Sequence, residues 1–355
     1  WESGPAEMIR EEPGMIPVEE VMTSLGVTSD TWESMASRES PYIENNLVPD
    51  DAIRDAVARL TAGADSWEEK MRRLFMYVTK RVRYMGVAFG ERPGINPDPV
   101  TRTFKNNAGV CKDKAGLLTA MLRIAGIEAS YTLNNPERRI FPQVAVDQFN
   151  HAIVAARIPG ETQWRYLDVT SDLSRSMCPA SSGGTHVLRI APGANVEAIP
   201  VPPSEQNAGS FDVKSRISSN GKLTCEVSYT GNGAADQYYR EQFYYIDQTQ
   251  WEDMFSYIVT YVSPSAELKN WSIKPAELDD LSDPFSFNLT FTVPDYAVLA
   301  NGYLLLRSPM AGSPFDWFQH DVEDRTSLSR REYDADLSVT SRMITNEEIT
   351  IPDGY

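Results

Sequence analysis

Histidine and cysteine are scarce in this chain, three of each among 355 residues. An odd and small number of cysteines cannot build a disulfide framework, so free thiols are expected. There is no CxxC pair and no histidine-rich tract, and the expectation is no metal site and no cofactor. Basic residues are also short: 33 Lys and Arg stand against 50 Asp and Glu, a net charge of −17. Nucleic acid and anionic membrane surfaces, which attract basic patches, are therefore poor candidates as partners. No run of about twenty apolar residues occurs, so no spanning helix is expected. The chain starts at Trp1 without a leader and stops at Tyr355 after a strand-like stretch. It reads as a fragment cut from a longer protein, whose remaining parts would carry any signal or anchor.

What is present centres on Ala108-Gly-Val-Cys111-Lys-Asp-Lys, continuing through Leu118 and Leu122 to Gly126. Cys111, Ala115, Leu118, Leu122 and Ala125 recur at steps of four and three, the spacing of one apolar helix stripe. Gly109 permits a sharp entry, and Gly126 is a left-handed stop. Cys111 then lies in the first turn, where unpaired N–H groups and the helix dipole favour a thiolate. Taken alone, such a cysteine reads first as a small core hydrophobe. Two other residues tip the reading.

A thiolate nucleophile needs a base, and the base needs an orienting group. His151 opens Phe149-Asn-His151-Ala-Ile-Val-Ala-Ala-Arg-Ile158, and Trp164-Arg-Tyr-Leu-Asp168-Val-Thr follows Pro159-Gly160. This predicts two strands joined by a turn. His151 and Asp168 are equally distant from the Pro159–Gly160 bond, so they are expected to face each other on one side of the hairpin. A carboxylate there would fix the imidazole tautomer and stabilise its charged form.

With these residues assembled, the sequence resembles the transglutaminase-like superfamily. Gly109-Val-Cys111-Lys-Asp-Lys, Phe149-Asn-His151-Ala-Ile-Val and Tyr166-Leu-Asp168-Val-Thr are similar to its three core motifs, and Val82-Arg-Tyr84 through Gly90 resembles the segment before the cysteine in bacterial multi-domain members. The resemblance spans roughly residues 30–200 and implies an α+β, papain-like core with a Cys111–His151–Asp168 triad. It leaves the reaction open between cross-linking, peptidase and amidase activity, and the superfamily also holds inactive members. Two positions depart from the pattern. Val110 stands where many relatives have aspartate, and Asn96-Pro97 where many bacterial members have Gln-Pro. The family glutamine is a side-chain donor candidate for an oxyanion hole shared with the Cys111 N–H. Asn96 keeps the NH₂ group but reaches about one bond less far. A turn asparagine accounts for Asn96 equally well.

Along the chain, residues 1–45 read as a loose lead-in with one strand, a connector from the β domain that relatives carry upstream. A transglutaminase-like domain is expected over 46–203. Its first helix is capped by Asp50 and buries Ile53, Val57 and Leu60. The next starts at a Ser66–Glu69 capping box and buries Trp67, Met71, Leu74, Phe75, Val78 and Val82. The irregular Val82–Pro99 stretch is expected to wall a cleft beside Cys111, and the polar loop Asn134–Val146 to contact substrate. His186 has no evident role. Residues 204–355 read as a β-rich, sandwich-like accessory module with one helix beginning near Thr249. In its first hairpin a three-residue loop ending at Gly221 pairs Ile217 with Leu223 and Val213 with Val227, pointing Cys225 into the core. Tyr238, Tyr239, Tyr244 and Tyr245 read as a half-buried sheet edge, and His320 has no obvious partner.

The function expected is cysteine-dependent acyl transfer on a protein, peptide or other amide, with hydrolysis ahead of cross-linking. The competing expectation is a non-catalytic scaffold or binding protein of the cell envelope. The resemblance to bacterial members suggests a periplasmic, envelope or secreted location.

Overall fold

A computed structural model describes residues 9–23, 25–86, 94–312, 314–337 and 339–355. The chain forms two compact units, one of Thr23–Asp172 and Ser176–Val201, the other of Trp1–Met22, Leu173–Arg175 and Pro202–Tyr355. The expected boundaries at 45 and 203 differ from these. Residues 23–45 go with the first unit because Trp32–Asn46 is a helix, α1, that buries Trp32, Met35, Ala36 and Ile43. Its apolar spacing is interrupted by Pro41 and by many polar residues, which is why composition alone suggested a connector.

Helix α2 (Asp51–Thr61) begins where the Asp50 carboxylate accepts the Ile53 N–H at 3.0 Å. Helix α3 (Trp67–Arg81) begins where Ser66 Oγ accepts the Glu69 N–H at 3.1 Å. The Glu69 carboxylate reaches back to the Asp65 N–H, one residue earlier than a standard capping box. Trp67, expected inside, is 36% exposed and lies over Gly126 with Lys70 above its ring. A two-residue parallel pairing of β1 (Arg83–Tyr84) with β2 (Ala108–Gly109) flanks the short helix α4 (Val100–Asn106).

Helix α5 (Cys111–Ile124) is buried along Lys112–Leu122, not on one stripe only. It is a central rod, with α2, α3 and α4 on one side and a sheet on the other. That sheet is antiparallel: β3 (Glu128–Asn134), β4 (His151–Arg157), β5 (Arg165–Leu167), β6 (His186–Arg189) and β7 (Val196–Ala198) run in the order β5-β4-β3-β6-β7. Tyr131, Leu133, Ala152, Val154 and Ala156 face α5 and join its core. Ile153, Ala155, Tyr166 and Val187 form a smaller cluster on the opposite face, where Trp164 is sandwiched by the Arg157 and Arg189 guanidinia, each 4.6 Å from its ring.

The second unit is β-rich. Its five-stranded sheet, in the order β10-β11-β9-β8-β14, comprises β8 (Ala208–Ile217), β9 (Leu223–Gly231), β10 (Glu267–Lys274), β11 (Ser286–Val293) and β14 (Arg342–Thr350). A two-stranded ribbon of β12 (Val298–Ala300) and β13 (Tyr303–Leu305) accompanies it. The β8–β9 register is the expected one, Ile217 opposite Leu223 and Val213 opposite Val227, with Gly221 at φ +80°. One large sheet carries the core. In place of a second such sheet, α6 (Ala234–Tyr244) and α7 (Trp251–Val259) cover its apolar face. The tyrosines expected at a sheet edge belong to this region: Ala235, Tyr239 and Phe243 step by four into the core, and Tyr244 and Tyr245 are exposed. Beneath α6 a fully buried pair, Asp236 and Arg240, meets at 3.0 Å. Arg240 also donates to the carbonyls of Leu278, Asp280 and Asp283, and Asp236 accepts the Phe285 N–H. Helix α8 (Trp317–Arg325) carries His320, exposed and 3.6 Å from Glu323.

Candidate active site

Cys111 is the first residue of α5, so its N–H has no partner within the helix. Asp113 shapes this start. Its Oδ2 accepts the Val110 N–H at 3.0 Å, and its Oδ1 accepts the Asp98 N–H at 2.8 Å. Gly109 is required here, because a Cβ on it would lie 2.7 Å from Asp113 Cβ. Thus the first acid after the cysteine fastens both the helix entry and the loop that follows Asn96-Pro97.

His151 begins β4, and its Nε2 lies 3.0 Å from Asp168 Oδ2. They are not opposite residues. The ladder pairs Val154 with Leu167 and Ala155 with Tyr166, two residues out of the expected register. A turn does form at Pro159-Gly160, closed by Glu161 N–H to Ile158 C=O, but the loop then continues to Trp164 on one side only. A shift of two keeps both side chains on one face, so Asp168 meets His151 diagonally from just beyond β5. Asp168 is itself held: Oδ1 accepts the Thr170 N–H at 2.9 Å and hydroxyl at 2.6 Å, and its own N–H donates to Met177 C=O.

With Nε2 engaged by Asp168, Nδ1 is the ring nitrogen left for the thiol, and Cys111 and His151 line the same cavity. Burial works against each charge. It is outweighed by mutual pairing: the imidazole, desolvated but bonded to Asp168 and Cys111, is pushed up to about 10. The Cys111 thiol is drawn below its ordinary value. Burial opposes this, while the His151 bond and charge and the N–H groups of Ala152 and Lys112 favour it. Asp168 is likewise lowered by His151 and Thr170 against its burial. The other thiols move oppositely: burial pushes Cys178 and Cys225 up to about 12. All three cysteines are unpaired, and Cys225 accepts a 3.4 Å bond from Ser215 inside the second core.

Cys111 and His151 open onto a cavity of about 240 Å³. Tyr131, Leu133, Phe149 and Ala152 give it apolar walls, and Asp147 and Asn150 are polar groups on its lining. Gly94 and Ile95 complete it, tied in place by Tyr131 Oη to Ile95 C=O at 2.8 Å and Lys112 Nζ to Gly94 C=O at 3.0 Å. The expected Val82–Pro99 wall is thus represented by Gly94 and Ile95; residues 87–93 lie outside the described residues. Asn96 is not among the residues lining the cavity, and its Oδ1 is buried without a partner among the described residues. The proposed substrate loop is also corrected. None of Asn134–Val146 lines the cavity, because this segment is fastened elsewhere: Trp32 Nε1 donates to Pro142 C=O at 2.7 Å and Thr28 Oγ1 to Ala145 C=O at 2.9 Å. The following residues, Asp147, Phe149 and Asn150, take that place. His186 lies on β6 with Nδ1 buried.

Lys114 was not singled out from the sequence. It is buried in α5, donates to Thr79 C=O at 3.2 Å near the end of α3, and is drawn down to about 8 by burial, with Asp172 and Asp168 opposing. Its place in Lys-Asp-Lys was the available signal. A lysine next to a helical cysteine normally reads as solvated surface, and only the surrounding helices bury it.

Residues 54–169, which contain Cys111, His151 and Asp168, match the family model of the transglutaminase-like superfamily. This segment is transglutaminase-like. Among solved structures, the chain is similar to a candidate protease from Parabacteroides distasonis, at 12% identity and a TM-score of 0.42, over 82% of this chain and 57% of that one. It is also similar to a candidate cysteine protease from Cytophaga hutchinsonii, at 18% identity and a TM-score of 0.29, over 53% of this chain and 55% of that one. The chain therefore spans little more than half the length of these proteins. No curated protein matches it.

Proposed function

We propose that this transglutaminase-like chain is a cysteine-dependent acyl-transfer enzyme acting on amide bonds of a protein, peptide or related substrate, with water as the usual acceptor. The observation that carries the reading is a helix-start thiol sharing one cavity with an imidazole that a buried carboxylate holds from behind.

In this mechanism Cys111 Sγ attacks the carbonyl carbon, and the oxygen takes the negative charge facing the Cys111 N–H. His151 passes its proton to the leaving amine as the C–N bond breaks, which leaves a thioester. Water then gives a proton to His151 and adds to the thioester carbonyl, and the thiolate departs with the acid released. An amine in place of water gives a cross-link by the same steps. Asp168 stays ionised throughout and orients the ring. Since Asn96 does not line the cavity, backbone donors carry the oxyanion in this scheme.

The test is iodoacetamide labelling of the native protein from about pH 4.5 to 9, read by peptide mass, with Cys178 and Cys225 as internal controls. Fast Cys111 labelling well below pH 8, lost in His151→Ala, supports the reading and justifies a screen of peptides and amides. Labelling no faster than an ordinary thiol overturns it and leaves a binding module.

A further inference from the structure

Asn134 ends β3 as a fully buried side chain, 0% exposed, yet neither its Oδ1 nor its Nδ2 has a hydrogen-bond partner among the described residues. A strand position of this kind is ordinarily apolar, since an unmatched buried carboxamide carries a desolvation penalty that valine or leucine would not. The ladder places Asn134 directly opposite His151. Its strand neighbours Tyr131 and Leu133 point to the α5 core, so Asn134 shares its sheet face with His151. Opposed residues have Cβ atoms roughly 4.5–5.5 Å apart. Asp168 follows on the same face, diagonal to His151. Carboxamide, imidazole and carboxylate therefore form one polar row across three strands.

We propose that Asn134 is a positioning residue for His151: its carboxamide, directly opposite the imidazole on the ladder, presents its dipole to the ring, holds it between Cys111 and Asp168, and favours the charged imidazole. The purpose of this row rests on the acyl-transfer reading above; the placement of Asn134 does not. The amide is not exchanging one good partner for another, because it has none among the described residues. A fixed, buried dipole acts strongly on a neighbouring charge.

Other groups also bear on this ring and its partners. Cys111 and Lys112 approach from α5, Asp168 from the end of β5, Asp147 from the loop before β4, and Tyr84 from β1 acts on Cys111 and Asp168. Cys178 and Lys114 lie within electrostatic range of Asp168. All of these remain when Asn134 alone is changed, so a change in His151 titration reports the amide.

The experiment uses the full chain, labelled with ¹⁵N-histidine, and follows His151 by NMR against His186 and His320. Asn134→Leu keeps the branched shape and deletes the dipole; Asn134→Thr is the second variant, smaller and suited to a strand, in case leucine does not fold. The expected result is a fall of the His151 midpoint by about one pH unit, with His320 unmoved. The low-pH limb of Cys111 labelling shrinks in step. If Asn134 is only a structural imperfection, the leucine variant melts at higher temperature with the His151 midpoint unchanged, and the proposal is overturned. Wild-type protein that lacks the low-pH limb would defeat the acyl-transfer reading instead, while the NMR midpoints still decide the role of Asn134.

Discussion

Nε2 of His151 meets Oδ2 of Asp168 at 3.0 Å across a diagonal of the β4–β5 ladder, not across a direct pair. The carboxylate can lean that way because Thr170 holds its other oxygen with two bonds, which fixes the plane of the group. The pair is therefore built by the residues just past a strand end, where the backbone is free to turn back on itself.

Asp168→Asn removes the charge while an amide oxygen can still accept from Thr170. The fold should persist, and the imidazole should lose the support that now raises it. Cys111 alkylation near pH 6 is expected to fall by roughly tenfold or more, since each pH unit of lost shift is a factor of ten. Labelling rates against pH for wild type and variant check this. An unchanged low-pH limb would mean that Asp168 does not support the ring.

Lys114 should leave a signature in stability against pH. Its folded-state value is drawn down to about 8 from an ordinary 10.5, so the unfolded chain binds the extra proton between these values. The unfolding free energy contributed by this group must then rise with pH across that window. His151 works the other way: raised from 6.5 to about 10, it contributes stability below pH 6.5 that is lost as the pH climbs through 10. Comparing wild type with Lys114→Met cancels the His151 slope. The wild type should gain on the variant between pH 8 and 10.5 in urea unfolding. A constant difference would refute the buried, depressed amine.

The Asp236–Arg240 pair beneath α6 predicts an asymmetric result. Asp236→Asn leaves the Arg240 charge buried without its counter-ion and should cost about 3–5 kcal/mol in the second unit. Replacing both residues by apolar ones of similar volume, Asp236→Leu with Arg240→Met, should restore much of that loss. Three carbonyls that now accept from Arg240 limit the recovery. Urea unfolding of the single and double variants gives both numbers, and equal losses in the two would contradict the ion-pair account.

Local signals in the chain were enough for the parts whose physics is local. Asp50 and Ser66 cap the helices they precede, because a side-chain oxygen beside an unpaired N–H needs nothing distant. The β8–β9 register follows from one glycine turn and an alternating pattern, since a slip of one residue would expose every apolar side chain. The three motifs also announce that Cys111, His151 and Asp168 come together. Tertiary structure decided the rest. Helix α1 is ordered by the core it covers, not by a clean stripe of its own. The α5 helix is buried all round because helices and sheet enclose it, which no single-helix periodicity can announce. The diagonal of the His151–Asp168 pair came from a loop that lengthened on one side, and a symmetric turn rule cannot see that. Asn96 stands outside the cavity lining and Asn134 lies opposite the imidazole for the same reason. An asparagine's role is set by what the fold brings to its amide, and that is a property of distant residues.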